Sequence, residues 1–225
     1  MQAEQLLNNN NGNMARRSFL RYAGAGVVGV GILAASSSCH KNHEVSANVA
    51  TDVGTGDFGA LNYLYVLEQI EAAFYKQVIA TPYTGMSATE LSFLTDIRDH
   101  EVVHAEYYQA VLGVSALNVT VDLGPIDFTS RATVLAAAKS FEDLGVSAYN
   151  GVALNIVLPQ YLVVATTIAS VEARHAALID LLLNVNFVGS DQVDANGLNI
   201  SAVPSVLLPT INKYLKTKIS ATVLS

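Results

Sequence analysis

The chain has 225 residues, of which 51% are hydrophobic and 14% are charged, and it contains five Pro and one Cys. This composition excludes a disordered chain and a disulfide scaffold, and it predicts a fold around one sizeable core. The formal net charge of −7 disfavours binding to nucleic acid or to an anionic membrane surface, which requires a basic patch, but it suits divalent cations as partners.

The first 38 residues have the pattern of an export signal. The run Arg16-Arg17-Ser18-Phe19-Leu20-Arg21 precedes a mildly apolar, Gly-containing stretch from Tyr22 to Ala35. Paired arginines ahead of such a stretch resemble a bacterial twin-arginine signal, which implies export of the folded chain. The apolar stretch is shorter than the roughly 20 residues of a membrane-spanning helix. The alternative is a short anchor that stays in place.

The single cysteine, Cys39, follows three serines directly after this stretch. The position resembles the attachment site of a bacterial lipoprotein, which implies a periplasmic protein that contacts the membrane only through an N-terminal lipid. The alternative is signal cleavage near residues 34–38, which would leave Cys39 as an unpaired thiol. Residues 39–56 are polar and contain Gly, so they predict a flexible tether.

The next part of the chain predicts two long helices joined by a short connection. Apolar residues recur at helical spacing from Phe58 to Ala80, and a Thr-Pro pair then ends the pattern. Ser87 and Glu90 have the spacing of a capping box and open a second helix, which Gly113 ends.

Two further long helices and a shorter one follow. Thr129 or Ser130 caps a helix that runs to about residue 150, and Pro159 lies in the first turn of a helix that ends near residue 184. A shorter helix begins at Pro204 and runs to about Lys218. We therefore predict an all-α fold, an up-down four-helix bundle over residues 57–185 with a long connection between its second and third helices, and a C-terminal segment over residues 186–225.

The second and fourth helices each carry a Glu-x-x-His motif. Glu101 precedes His104 by three residues, and Glu172 precedes His175 by three residues. Residues three apart on a helix project about 60° from one another, so each pair is able to bind a metal ion from one side.

The first and third helices carry a matching pair of residues. Glu68 is followed seven residues later by Tyr75, and Glu142 is followed seven residues later by Tyr149. Each carboxylate thus shares a helix face with a phenol, and the chain has an approximate internal repeat with a pseudo-twofold axis. Gly145, inside the third helix, costs about 1 kcal/mol relative to Ala. It indicates either a close approach between helices or a local tolerance.

Together these motifs resemble the dinuclear carboxylate site of the ferritin-like superfamily. Residues 67–75, 141–146 and 171–176 resemble, more narrowly, the bacterial ferritin-like proteins of the desiccation-related group. The resemblance implies a ferritin-like bundle with two metal ions per chain, Fe or Mn, and Glu101 and Glu172 as the bridges. The ligands that it implies are Glu68, Glu101, His104, Glu142, Glu172 and His175.

Charge supports this ligand set. Four carboxylates and two neutral imidazoles carry four negative charges, which two divalent cations cancel, whereas burial without a cation would be costly. The alternative is a solvated acidic face with ordinary core histidines. Glu71 is the main rival of Glu68, but no Tyr follows it by seven residues. His100 is expected beside the site or on the surface.

Tyr75 and Tyr149 are expected to act on the ligands. With pseudo-twofold symmetry, each phenol would reach a bridging carboxylate of the opposite helix pair and fix its orientation. The alternative is that both rings only fill the core.

Six ligands shared by two ions leave coordination positions for oxygen or peroxide. Redox chemistry is therefore the leading hypothesis. Fe(II) oxidation of the ferroxidase type and peroxide consumption by two Mn ions would both fit a role in envelope stress protection. The alternative is a non-enzymatic envelope stress protein whose metals only brace the bundle. A homo-oligomer is compatible with the sequence.

Overall fold

Helices make up most of the chain that the computed structural model describes, residues 50–224. The long helices are α1 (Gly56–Ala80), α2 (Ala88–Leu112), α3 (Arg131–Val152) and α4 (Pro159–Leu183), and a short helix, α5, covers Pro204–Ile211. The prediction of an all-α bundle is confirmed. The predicted export and lipidation residues, Arg16, Arg17 and Cys39, lie outside the described residues.

Local capping explains where three of the long helices begin. The Ser87 hydroxyl accepts a hydrogen bond from the backbone N–H of Glu90, whose side chain accepts one from the backbone N–H of Ser87, so the predicted capping box is present. Ser130, one of the two predicted caps of α3, accepts from the backbone N–H of Thr133. Pro159 is the first residue of α4. A proline is tolerated there because a backbone N–H in the first turn has no acceptor within the helix.

The long helices form two hairpins, α1 with α2 and α3 with α4, each joined by a short connection. A long connection, residues 113–130, joins the hairpins and leads into α3. α1 also contacts α3 and is buried over most of its length. The bundle therefore has a central region into which all four long helices direct side chains.

The C-terminal segment packs on the bundle through α5, which contacts α3. Its last part returns to the start of the described chain, where β2 (Ile219–Ser220) pairs in parallel with β1 (Thr51–Asp52). Two residues of the segment 39–56, which the sequence predicts to be a flexible tether, are therefore part of a two-stranded sheet.

The fifth helix is shorter than the sequence predicted. It ends at Ile211, a 3-10 turn follows over Asn212–Tyr214, and the expected continuation to Lys218 is wrong. The cause is the Asn212 side chain, which donates to the carbonyl of Ile219 and accepts from its N–H, and so turns the chain back toward β1.

Among the described residues, α4 is long and apolar enough to cross a membrane, judged by length and composition. The core helix of a bundle meets the same criteria. Because Glu172 and His175 on α4 are buried among carboxylates from the other three long helices, we assign α4 to the bundle.

Candidate metal centre

Six polar side chains from the four long helices meet inside the bundle. α1 and α3 each contribute one carboxylate, and α2 and α4 each contribute a Glu and a His from one Glu-x-x-His motif. All six are at most 6% exposed. They are the residues that the sequence singled out as ligands: Glu68, Glu101, His104, Glu142, Glu172 and His175.

The ligand atoms of these side chains fall into two overlapping groups, within each of which they lie no more than 4.8 Å apart. One group consists of Glu68, Glu101, His104 and Glu172. The other consists of Glu101, Glu142, Glu172 and His175. Glu101 and Glu172 belong to both groups.

Each histidine presents Nδ1 to carboxylate oxygens. Nδ1 of His104 lies 3.3 Å from Oε2 of Glu68 and 3.2 Å from Oε1 of Glu172. Nδ1 of His175 lies 2.8 Å from Oε1 of Glu101 and 3.5 Å from Oε2 of Glu142. These pairs are close, but neither nitrogen meets the angular requirements of a hydrogen bond within residues 50–224. The donor atoms therefore lie close together without forming regular hydrogen bonds with one another.

This donor set is compatible with dinuclear metal binding. Eight of its buried atoms have no hydrogen-bond partner among the described residues, and leaving a buried polar group unpaired costs about 1–3 kcal/mol. Oxygen and imidazole donors are the ligands that Fe and Mn accept. The unpartnered atoms are Oε2 of Glu68, both oxygens of Glu101, Nδ1 of His104, Oε2 of Glu142, both oxygens of Glu172 and Nδ1 of His175.

Without a cation, the electrostatics of the centre are unfavourable. Burial raises the pKa of Glu68 to about 7 and also raises the pKa of Glu142. Burial and the charge of Glu101 raise the pKa of Glu172 well above its ordinary value. Burial alone would lower the pKa of His175, but the Glu142 and Glu101 carboxylates outweigh it and raise this pKa to about 11. The centre thus retains protons that bound cations would displace.

Two tyrosines link the hairpins across the centre. The hydroxyl of Tyr75 on α1 donates to Oε1 of Glu142 on α3, and the hydroxyl of Tyr149 on α3 donates to Oε1 of Glu68 on α1. Each phenol reaches the opposite hairpin, as the internal repeat predicts. However, its partner is a carboxylate that belongs to one ligand group, not a bridging one. The two hydrogen bonds therefore orient Glu68 and Glu142.

An imidazole on the outer side of α2 contacts the centre. Nδ1 of the exposed His100 lies 2.8 Å from Nε2 of His175, and the ring centroids are 5.1 Å apart. Since Nδ1 of His175 faces the carboxylates, Nε2 is the nitrogen that is left to carry a proton. The ring of His100 is partly covered by neighbouring atoms, and this partial burial, together with the nearby His175, lowers the pKa of His100. Nδ1 of His100 is therefore suited to accept that proton in a hydrogen bond.

Sequence reasoning missed Tyr108, which is completely buried on α2. Burial and the charge of Glu68 raise the pKa of this tyrosine well above its ordinary value. The sequence does contain a signal for this residue, because Tyr108 follows Glu101 by seven residues, the same spacing that identified Tyr75 and Tyr149.

Glu71, considered in the sequence only as a rival of Glu68, is also buried beside the centre. Burial and then the charges of other carboxylates, first Glu172 and Glu101, raise its pKa well above its ordinary value. The structure therefore places a further carboxylate next to the six expected ligands.

Four long helices around a buried carboxylate and histidine cluster, compatible with dinuclear metal binding, define a class of helical metal-binding bundles. The model of the ferritin-like domain family matches residues 56–185 of the chain. The chain belongs to the ferritin-like domain family. A search of curated proteins found no match.

Proposed function

We propose that this protein holds two Fe or Mn ions at the six-residue centre and uses them to oxidise Fe(II) or to consume oxygen or peroxide. The observation that carries the proposal is the pair of overlapping ligand groups, whose buried atoms are largely unpartnered within residues 50–224. A protein that only needed a stable core would be better served by apolar side chains at these positions.

The number of ligands favours reactivity over bracing. Each group offers four side chains, two of them shared with the other group. Mn sites with oxygen ligands are commonly octahedral, so coordination positions remain open to a small oxidant. Bound Fe or Mn would pass electrons to oxygen or peroxide, and the Fe(II) substrate or a second peroxide would reduce the oxidised ions again. A site that only braces a fold is typically closed and saturated.

The protein's own residues prepare the centre for this chemistry. Glu101 and Glu172 are positioned to hold two ions close together, and the burial of the cluster keeps bulk water away. Tyr75 and Tyr149 orient the two carboxylates that are not shared.

The cellular setting is a further part of the proposal. The resemblance of the N-terminus to a twin-arginine signal supports export of the folded chain, and the position of Cys39 supports a lipid tether on the periplasmic face of a bacterial membrane. Export of folded chains would allow the ions to be loaded in the cytoplasm. The resemblance to the desiccation-related group supports a role in envelope stress protection.

Two experiments test the proposed activity. Metal analysis of protein purified from its own source should find Fe or Mn. The loaded protein should then turn over either Fe(II) with oxygen or peroxide alone, and a Glu101→Gln variant should not. Full metal occupancy without turnover of either kind would contradict the redox proposal and leave bracing as the role of the metals.

A further inference from the structure

Glu71 is a fifth buried carboxylate beside the metal centre, and it lies outside the two ligand groups. It is 2% exposed, and neither of its side-chain oxygens has a hydrogen-bond partner in the part of the chain that the structure describes. It follows Glu68 by three residues on α1, so both side chains leave the helix on the same side. A carboxylate buried in this way is stable only if it is protonated or bound to a cation.

The side chain of Glu71 occupies space that α3 leaves open at Gly145. A Cβ atom on Gly145 would lie 3.1 Å from Oε1 of Glu71 and 3.1 Å from Oε2 of Glu172. These two oxygens are therefore at most twice that distance apart. Because Glu172 belongs to both ligand groups, Glu71 lies beside a carboxylate that is positioned to contact both ions.

This close approach also accounts for the glycine inside α3. The sequence left open whether Gly145 marks a close approach between helices or a local tolerance. The structure shows that two carboxylate groups, from α1 and α4, fill the space beside it. A Cβ atom at this position would be in tight contact with both, so at least one of them would have to shift by a few tenths of an ångström.

The two halves of the internal repeat differ at the position that Glu71 occupies. The residue three positions after Glu68 is Glu71, whereas the residue three positions after Glu142 is Gly145. One half of the repeat supplies a carboxylate, and the other half supplies the space for it. The two ion positions are otherwise matched, because each has one Glu and one His of its own and both share Glu101 and Glu172, but they differ in this feature.

On the side that faces away from the ligand groups, Glu71 is surrounded mainly by apolar side chains. It borders a cavity of about 10 Å³, which is no larger than one water molecule and is lined mainly by apolar side chains. These include Phe141, Leu144 and Ile211. A cation that binds the Glu71 carboxylate would therefore lie on the side of the carboxylate cluster.

We propose that Glu71 is a metal ligand, a seventh side chain that adds one carboxylate to the coordination of one of the two ions. This inference rests on the proposed function, because it requires the ion pair. The six expected ligands carry four negative charges, which match two divalent ions. Glu71 brings the total to five, which matches one divalent and one trivalent ion. Ligation by Glu71 thus makes the two positions unequal and favours a higher charge at one of them.

The test titrates the folded metal-free protein with Co(II) in the absence of oxygen, so that the ion remains divalent. The visible absorption of Co(II) depends on its coordination number. Wild type is compared with Glu71→Gln, which keeps the shape and removes the charge, and with Glu71→Asp, which keeps the charge and shortens the reach. Asp180→Asn is the matched control, because Asp180 is a buried carboxylate that pairs with Lys139 and belongs to neither ligand group.

We expect wild type and Asp180→Asn to bind two Co(II) per chain. Both Glu71 variants should bind one of the two ions at least about 10-fold more weakly, with an altered visible spectrum for that ion. Wild-type affinity and spectrum in Glu71→Gln would overturn the inference and identify Glu71 as a neutral buried acid. Wild-type behaviour of Glu71→Asp alone would also overturn it, because the charge would then act without ligation. Failure of wild type to bind two ions would instead refute the proposed function.

Discussion

Nδ1 of His100 lies 2.8 Å from Nε2 of His175, so an exposed imidazole holds the ring of a buried ligand candidate from outside. Partners of this kind fix the tautomer and orientation of a metal-binding histidine and typically contribute 10–100-fold to metal affinity. The contact joins α2 to α4 directly beside the centre.

Replacing His100 should therefore weaken metal binding without unfolding the protein. We expect His100→Phe, which keeps an aromatic ring and removes the nitrogen, to lower affinity for Mn(II) by about 10-fold. His100→Asn retains an oxygen that accepts a hydrogen bond and should recover much of the loss. Calorimetric titration measures both affinities, and the melting temperature of the metal-free protein checks the fold. Equal affinities of wild type and His100→Phe would contradict a positioning role.

The two cross-bundle tyrosines offer a second test. Tyr75→Phe and Tyr149→Phe keep the rings and free Glu142 and Glu68 from their hydrogen bonds. Each change should weaken metal binding or slow Fe(II) oxidation by about 10-fold, with little change in stability. The matched control is Tyr63→Phe, because Tyr63 is equally buried and its hydroxyl has no partner among the described residues. If the double Phe variant and the control behave alike, both tyrosines only fill the core.

The metal-free protein should become less stable as pH rises. The pKa of Glu68 rises to about 7 and that of His175 to about 11 on folding, so the folded state holds more protons than the unfolded state. Stability from Glu68 is lost between its ordinary pKa near 4.5 and about 7, and stability from His175 is lost above its ordinary pKa near 6.5. Urea denaturation should show a lower free energy of unfolding at about pH 8 than at about pH 5, by about 2 kcal/mol or more.

Saturating Mn(II) should reverse this trend, because metal binding displaces the retained protons and is favoured at higher pH. The same denaturation series in the presence of Mn(II) provides the comparison. A metal-free protein that is more stable at the higher pH would show that the carboxylates are compensated in some other way.

Export is tested with variants of the N-terminal segment. Replacing Arg16 and Arg17 with Lys should retain the protein in the cytoplasm, because the twin-arginine route requires the arginine pair. Cys39→Ala should release the protein from membranes into the soluble periplasmic fraction. Fractionation of expressing cells measures both outcomes. Normal export of the double-Lys variant would refute the signal, and continued membrane attachment of Cys39→Ala would refute the lipid.

Much of the fold followed from local signals in the sequence. Helical periodicity, the Ser87 capping box and Pro159 gave the starts of α2 and α4, because these effects depend on residues within one or two turns. The end of α5 was missed, since it depends on a hydrogen bond from Asn212 to Ile219 and on pairing with β1, and no local pattern announces either contact.

In the candidate site, too, the features that depend on one helix were predicted and the contacts between helices were not. The Glu-x-x-His spacing led to residues that the structure brings together, because three residues on a helix define one face. The location of Glu71 against Gly145 joins α1 to α3, and the contact between His100 and His175 joins α2 to α4. Such contacts depend on helix rotation and spacing in the bundle, which periodicity within a single helix does not specify.

The most direct test of the central claim is the number of metal ions bound per chain. Metal-free protein is loaded without oxygen with Fe(II) or Mn(II), and bound metal is counted after removal of the excess. The account predicts two ions in wild type and in the exposed control Glu106→Ala, but loss of the ion pair in the Glu101→Ala, Glu172→Ala double variant, because both groups lose their shared ligands. Full two-metal occupancy in the double variant, or no bound metal in wild type, would contradict it.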